Sequence, residues 1–207
     1  ITHQIAGDLL PNHTLAQQVA TGYIRLNPST GEGGAIPAEF QAKNSFDRVE
    51  TFGTVFLGMS LTCARCHNHK YDPIPQTQYY QLLAFFNSTA EHSMDGNKYT
   101  YGPHVKAPKN QIAWRQWNGL EAARSTLVAT IGGRIQSNDK LDAAAKNKWK
   151  TADEKARLAL LANAKGPFSS LKIQKDAAAL SELIASAEKN FTTSLVAQQL
   201  PTPRETK

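Results

Sequence analysis

The five residues Cys63-Ala64-Arg65-Cys66-His67 decide which fold is expected for the first half of this chain. Two thiols separated by two residues and followed at once by a histidine form the attachment signature of a covalently bound c-type haem. On a turn of helix, positions 63, 66 and 67 are i, i+3 and i+4, so the three side chains share one face. The spacing predicts thioether bonds from Cys63 and Cys66 and the proximal iron ligand from His67.

Other interpretations of the same motif stay open. One is a thiol or disulfide pair, although a redox C-x-x-C normally follows a strand and the sequence context here is helical. Another is zinc bound by Cys63, Cys66, His67 and His69, which would crowd four ligands into a short stretch. A haem would serve either electron transfer or catalysis and sensing, and the ligand on the far side of the iron separates these roles.

Residues around the motif supply the remaining candidates for the haem site, and no catalytic residue is assigned. Met94 and His92 are the candidates for the distal iron ligand, because they lie where a later segment can fold back over the haem. Arg65 and Lys70 flank the motif and are expected to neutralise haem propionates, with plain surface solvation as the alternative. Tyr71 is expected to line the haem pocket or simply to pack.

Composition limits the class of protein. The chain has 207 residues and a net charge of +6, and both of its two cysteines lie in the motif. Two cysteines are too few for a domain stapled by disulfides. The positive charge suits an acidic redox partner, whereas nucleic acid is disfavoured because no basic run and no aromatic-basic motif occurs. No apolar run is long enough to span a membrane.

Helical periodicity predicts a mainly α fold with three regions. Residues 1–110 are expected to form an irregular helical haem-binding domain. Residues 111–200 are expected to form a helical hairpin or coiled-coil-like extension, and residues 201–207 an extended tail. Within the first region, residues 88–110 are polar and show no period, so they are predicted to form a long loop that walls or covers the haem.

Helix boundaries in the first region follow from capping residues and prolines. Thr14 is expected to cap a short helix, and Pro37 to begin a long helix that approaches the motif. Gly53 and Gly58 disfavour an unbroken helix over this stretch. A further helix is expected from about Gln76, after two prolines that end any earlier helix.

The last third of the chain carries two heptad-like apolar seams. Their members recur at steps of three and four: Ala145, Trp149, Ala152, Ala156 and Ala159, and then Ile173, Ala177, Leu180, Ile184, Ala187 and Phe191. Alanine-rich seams are typical of closely packed helices. With a turn at residues 165–170, they predict an antiparallel hairpin over residues 140–193, which is also a candidate surface for a helical partner.

Several separated motifs, in this order, resemble a bacterial family. They occupy residues 4–11, 20–23, 32–34, 47–49, 63–73, 79–80 and 84–86. The family is the planctomycete and verrucomicrobial domain of unknown function that is found beside planctomycete-type cytochrome c domains. Its hallmark resembles the Cys-Ala-Arg-Cys-His-Asn-His-Lys-Tyr-Asp-Pro of residues 63–73, and the resemblance covers about residues 1–110.

The resemblance implies an exported protein with a c-type haem signature, often accompanied by sugar-binding or uncharacterised domains. The family's domain begins before Ile1 with a Trp-Leu-Asp-x-x-Arg-Tyr region that is absent here, and residues 203–207 resemble the start of a downstream segment. A fragment of a larger protein is therefore implied. The distal ligand is then expected either on this chain or on a part outside it, and the family position that matches Met94 is not always methionine.

These observations together predict an extracytoplasmic, for example periplasmic, protein that holds one covalent haem c and transfers electrons. Its expected partners are a redox protein or other chains of the same complex, and a helical partner at residues 140–193. One alternative is a haem-dependent oxidoreductase that acts on a peroxide or a carbohydrate-derived substrate. Another is a non-haem assembly module with a zinc or thiol site.

Overall fold

The fold is mainly α, as the sequence predicts. The computed structural model describes residues 1–28, 30–94, 102–202 and 204. The α-helices of this described part are α1 Thr2–Ala6, α2 Leu15–Ala20, α3 Pro37–Phe52, α4 Gln76–Asn87, α5 Gln111–Gln136, α6 Ala143–Thr151, α7 Glu154–Ala162 and α8 Gln174–Lys189. Two short strands, β1 His104–Ala107 and β2 Thr192–Leu195, pair in a two-stranded sheet.

The chain divides into two compact units. The first is built from Ile1–Val105 together with Thr193–Lys207, and the second from Lys106–Thr192. The sequence predicted three successive regions, 1–110, 111–200 and 201–207. Along the chain, the residues of the second unit instead lie between the two segments that build the first. Of the predicted tail, residues 203 and 205–207 lie outside the described part of the chain.

The helix starts predicted from capping residues and prolines are confirmed in the first unit. The Thr14 hydroxyl accepts a hydrogen bond from the Gln17 backbone N–H at 3.3 Å, and the Gln17 side chain accepts one from the Thr14 N–H at 2.7 Å. This reciprocal pair is a capping box. Pro37 occupies the first turn of α3, and α4 begins at Gln76 directly after Pro75.

The helix that starts at Pro37 does not continue to the motif. After α3 ends, the chain widens into a π turn at Gly53–Leu57, and Gly58 stops it with φ of +64°. Only glycine adopts this left-handed backbone freely. A Cβ atom on Gly53 would lie 2.6 Å from the Leu61 side chain. The two glycines therefore end the helix and let the chain pack against Leu61, two residues before the motif.

The core of the first unit forms where α3 packs on α4. Its buried members are Ile24, Val49, Leu61, Ala64, Tyr79, Leu83, Phe86 and Ala197. Met59 and several aromatic side chains pack against this cluster from partly buried positions. One core residue, Ala64, belongs to the haem-attachment motif itself.

The loop predicted over residues 88–110 is wrong in part, because β1 lies within it and Thr89 forms an isolated antiparallel bridge with Gln199. Residues 95–101 lie outside the described part of the chain. Both pairing partners are far along the sequence. A four-residue, largely polar strand carries no local sequence pattern that predicts pairing with so distant a segment.

The seam predicted along α8 is confirmed in the second unit. Ala177 and Ile184 are buried, and the other four seam residues are half-buried. α8 packs against α7 across the predicted turn at residues 165–170. α5 continues past Gly132 and Gly133 and ends at Gln136.

The first seam is wrong as one continuous helix. Ala152 has an extended backbone with ψ of 143°, and the Asp153 carboxylate starts α7 by accepting a hydrogen bond from the Ala156 N–H at 2.7 Å. This N-cap begins a new helix with a new buried face. Ala156 and Ala159 are exposed in α7, and Leu161 is completely buried instead.

No helix in the described part of the chain combines the length and the apolar character that crossing a membrane requires.

We expect Leu161→Ala to lower the free energy of unfolding of the second unit by about 2–5 kcal/mol, because it leaves a cavity in a packed core. Leu183→Ala on α8 is the matched control, since Leu183 is 58% exposed, and it should stay within about 0.5 kcal/mol of wild type. Urea unfolding followed by circular dichroism measures both. Equal effects of the two substitutions would contradict the observed packing.

Candidate functional site

The predicted attachment motif forms one tight turn at the surface of the first unit. A 3₁₀ turn spans Thr62–Arg65, and the Cys63 carbonyl accepts hydrogen bonds from the N–H groups of both Cys66 and His67, each at 3.4 Å. Cys63, Cys66 and His67 are exposed, whereas Ala64 is completely buried. Both cysteines are free thiols. The turn therefore buries one motif residue as an anchor and presents both thiols and the imidazole to the outside.

The His67 ring is held in one tautomer by its neighbour. Its Nδ1 lies 2.7 Å from the Asn68 backbone carbonyl oxygen. A carbonyl only accepts hydrogen bonds, so we assign the proton of the neutral ring to Nδ1. Nε2 then keeps its lone pair. This is the usual state of a metal-binding histidine, in which a backbone carbonyl orients the ring through the nitrogen that does not bind.

His69 is held in the opposite tautomer. Its Nδ1 accepts hydrogen bonds from the backbone N–H of Asp72 at 2.9 Å and of Tyr71 at 3.4 Å. The proton of the neutral ring is therefore on Nε2. The Asp72 carboxylate, 3.2 Å from the same Nδ1, shares no proton with it in this tautomer. The His69 side chain is 7% exposed and serves to close the loop that follows the motif.

The zinc interpretation therefore finds little support in the geometry. Zinc requires a ligand nitrogen with a free lone pair, and neither nitrogen of His69 offers one. Within the described residues, no three side chains of the types His, Cys, Asp and Glu gather into a metal-binding group. A haem iron, by contrast, needs only one such group from this turn.

The first turn of α4 clamps the motif from outside. The Arg65 carbonyl accepts hydrogen bonds from Gln76 Nε2 and from the Tyr80 hydroxyl, each at 3.0 Å. The Gln76 N–H donates to Asn68 Oδ1 at 2.9 Å. Sequence reasoning missed the roles of Gln76 and Asn68, and the helix start after Pro75 was the only available signal for them.

The predicted flanking residues all lie at the surface. The Arg65 guanidinium lies 3.6 Å from the centroid of the Phe46 ring, a cation–π contact. Lys70 Nζ lies 5.3 Å from the Tyr71 ring centroid, and Tyr71 is 83% exposed. Arg65 is thus oriented by Phe46, whereas Lys70 and Tyr71 form an open pair beside the motif.

The two candidates for the distal ligand lie in the segment after α4. His92 is exposed and lines a cavity with Arg25 and Arg48, and no residue of the motif lines that cavity. Met94 is half-buried. The described contacts therefore bring neither residue to the motif, and a distal ligand from this chain stays a prediction.

Tyr79 lies under the clamp and is almost completely buried. Its hydroxyl has no hydrogen-bond partner among the described residues. Burial raises the pKa of Tyr79 to about 12, the negative charge of Glu50 contributes, and Arg65 opposes the shift.

We expect Tyr79→Phe to make stability less sensitive to alkaline pH. Because the pKa of the folded state lies above the ordinary value of about 10, the unfolded chain loses this proton first, and stability falls as the pH rises from about 10 through about 12. The substitution removes this loss. Tyr80→Phe is the control, since Tyr80 is 44% exposed, and should retain the fall. Urea midpoints across this pH range measure the effect, and parallel curves for wild type and Tyr79→Phe would refute it.

Comparison with known proteins gives one family and no characterised relative. Residues 1–91 match the model of the family PSCyt2, described as a protein of unknown function (DUF1549). The matched segment contains the motif turn, α4 and Glu91. No curated protein and no solved structure matches the chain. The resemblance to a family of unknown function is thus confirmed over residues 1–91, which make up less than half of the chain.

Proposed function

We propose that this chain is an extracytoplasmic c-type haem protein in which Cys63 and Cys66 attach the porphyrin and His67 is the proximal iron ligand. One observation carries the proposal. The motif turn exposes these three side chains together, and the Asn68 carbonyl holds His67 with Nε2 free. The matching family has "Cyt" in its name, but its description assigns no function, so the proposal depends on the turn.

Different residues of the turn would have different roles in holding a haem. The two free, exposed thiols suit covalent attachment, and the Asn68 carbonyl orients the proximal ligand and increases its basicity. Burial of Ala64 and the two hydrogen bonds to the Arg65 carbonyl fix the backbone that carries them.

Electron transfer is the role that we propose for the site. When bound, haem c supplies a one-electron carrier. A surface turn lets an electron reach a partner without crossing the core, and the net charge of +6 favours an acidic redox partner. Because haem c is attached outside the cytoplasm, the proposal includes an extracytoplasmic location. We further propose that the chain works within a larger redox protein or complex, with residues 140–193 as a surface for a helical partner.

We expect the full-length protein, matured where haem c is attached, to retain haem after extraction with acidic acetone. Cys63→Ser and Cys66→Ser should each leave one thioether and shift the reduced α-band of the pyridine complex to longer wavelength. The double variant should lose the haem completely, and Ser60→Ala, an exposed change near the motif, should match wild type. Wild-type protein without covalent haem would overturn the proposal.

His67→Ala is expected to remove proximal ligation, which absorption and paramagnetic resonance spectra measure. His13→Ala is the control, because His13 is exposed and has no place at the site. His69→Ala should also preserve the ligation, since the Nε2 of His69 carries a proton. A high-spin, five-coordinate ferric spectrum in the wild-type protein would contradict electron transfer and favour a haem-dependent oxidoreductase.

A further inference from the structure

The second unit carries all of the excess positive charge of the chain. Between Lys106 and Thr192 the sequence has 15 Lys and Arg and eight Asp and Glu, whereas the residues of the first unit comprise eight and nine. The formal charge of the second unit is therefore +7, against −1 for the first. A surface with this balance attracts anionic partners. The place where such a partner binds depends on local shape and on the donors that the surface presents.

A groove on the second unit, here called the α5 groove, runs along the C-terminal half of α5 beside α6 and α7. Two adjoining cavities of about 340 and 230 Å³ form it, and both are lined by Gln136, Trp149 and Lys150. The remaining lining residues are Ser125, Val128, Ala129, Gly132, Gly133, Ile135, Lys146, Glu154 and Arg157. From Ser125 to Gln136, both exposed, α5 rises roughly 16 Å. The groove is thus an open channel of about that length.

Two successive glycines form the floor of the α5 groove. A Cβ atom on Gly132 would lie 3.4 Å from Trp149 Nε1, and one on Gly133 would meet no atom within 4 Å. Glycine is a poor residue for the interior of a helix. At these two positions the absence of a side chain leaves the backbone of α5 and the edge of the indole uncovered.

The indole of Trp149 contributes a fixed donor to the groove. Trp149 is 4% exposed, and its N–H donates to no described residue. Buried tryptophan N–H groups usually have a hydrogen-bond partner. The ring is held in place by Phe168, with ring centroids 5.6 Å apart, and by the Arg157 guanidinium, 5.5 Å from its centroid. Because Trp149 lines both cavities, this donor is available to a ligand in the groove.

Three cations line the groove, and none of them forms an ion pair with a described carboxylate. Lys146 Nζ donates to the Gln136 carbonyl at 3.3 Å, and Arg157 donates to the Trp149 and Lys150 carbonyls at 2.9 and 3.1 Å. These bonds satisfy carbonyls at the C-terminal ends of α5 and α6. The Lys150 ammonium is exposed and has no described partner.

One carboxylate, that of Glu154, also lines the groove, and it is already paired. It accepts hydrogen bonds from Arg124 Nε at 3.3 Å and from Ser125 Oγ at 2.9 Å. Arg124 also pairs with Glu121 at 2.7 Å, and neither of these two residues lines the groove. This network carries one negative charge in total. With the three cations, the groove and its network retain a formal charge of +2.

We propose that the α5 groove binds an extended acidic segment of a partner protein. Lys146, Lys150 and Arg157 pair with its carboxylates, and the Trp149 N–H donates to one of its carbonyl groups. An extended chain advances about 3.3 Å per residue, so the groove holds roughly five residues. Nucleic acid is disfavoured, because the aromatic ring among the lining residues is buried and cannot stack on a base.

The site needs neither the haem nor a helical partner along α8. No residue of the motif and no residue of α8 lines the groove. The inference therefore goes beyond the proposed haem function, and acidic-segment binding is expected with or without attached haem.

Fluorescence anisotropy of the full-length protein tests the proposal. The probe is a fluorescein-labelled octapeptide of alternating serine and glutamate, and the reference replaces each glutamate by glutamine. We expect saturable one-to-one binding of the acidic peptide that weakens with added salt, and at least about tenfold weaker binding of the reference. Equal binding of the two peptides, or none of the acidic one, would show that the proposal is wrong. Tighter binding of a labelled single-stranded octanucleotide at the same site would also refute it.

Charge reversal on α6 tests the location of the site. Lys150 lines both cavities and Lys148 lines neither, although both are exposed on the same helix. Lys150→Glu should weaken binding of the acidic peptide at least about tenfold, because a like charge then faces its carboxylates. Lys148→Glu changes the net charge equally and should keep the affinity within about threefold. Equal losses would mean that net charge, and not the groove, governs binding, and would overturn the assignment.

Filling the floor of the groove provides a second test that leaves the charge unchanged. Gly133 and Gly119 are both exposed on α5, and a Cβ at either meets no atom within 4 Å. Gly133→Gln should weaken peptide binding at least about fivefold by occupying the groove, whereas Gly119→Gln should not. Both should raise the urea midpoint slightly, since glutamine favours a helix. A folded Gly133→Gln protein with wild-type affinity would contradict binding in the groove.

Discussion

The packing of Ala64 into the core of the first unit determines what the motif presents to its surroundings. The Ala64 methyl group lies in one buried cluster with Val49, Tyr79 and Phe86. Ala64 is buried in this cluster, whereas Cys63 and Cys66 of the same turn are exposed at the surface. A protein that used these thiols as core residues would reverse this arrangement. The buried Ala64 methyl group therefore fixes the orientation of the turn and, with it, the exposure of the two thiols.

Hydrogen bonds between segments that are far apart in the sequence stabilise the rest of the first unit. Thr21 Oγ1 donates a hydrogen bond to the Gln18 carbonyl at 2.7 Å and accepts one from the Ala197 N–H at 2.8 Å. Asp8 Oδ2 accepts from the Gln199 N–H at 2.9 Å. Buried backbone groups need such partners. The segment that follows β2 is consequently an integral part of the unit, because side chains of the N-terminal segment and backbone groups of residues 88–90 both bond to its backbone.

Local chemistry made much of the fold predictable. The capping box at Thr14, the proline at the start of α3 and the apolar seam of α8 each depend on residues within one or two helical turns, which the sequence displays directly. The break after α6 was missed because alanines keep a heptad step across residues 152 and 153. The capping role of Asp153 outweighed that step.

Non-local contacts account for what the sequence did not reveal. The motif residues were found from their spacing, but their clamp by Gln76 requires α4 to pack beside the turn. Three arginines from distant segments contact Glu91: Arg25 and Arg48 pair with its carboxylate, and Arg204 donates to its backbone carbonyl. No pattern of period or spacing links four positions so far apart, and the pairing of β1 with β2 was hidden for the same reason.

In the sequence, the second unit lies between the two segments of the first, and this order determines which unit is completed first during synthesis. A ribosome completes Lys106–Thr192 before it reaches Ala197, a member of the core of the first unit. The second unit therefore emerges whole while the first still lacks its final piece. Domains generally fold as units during synthesis. The second unit can therefore complete its core before the first unit completes its own.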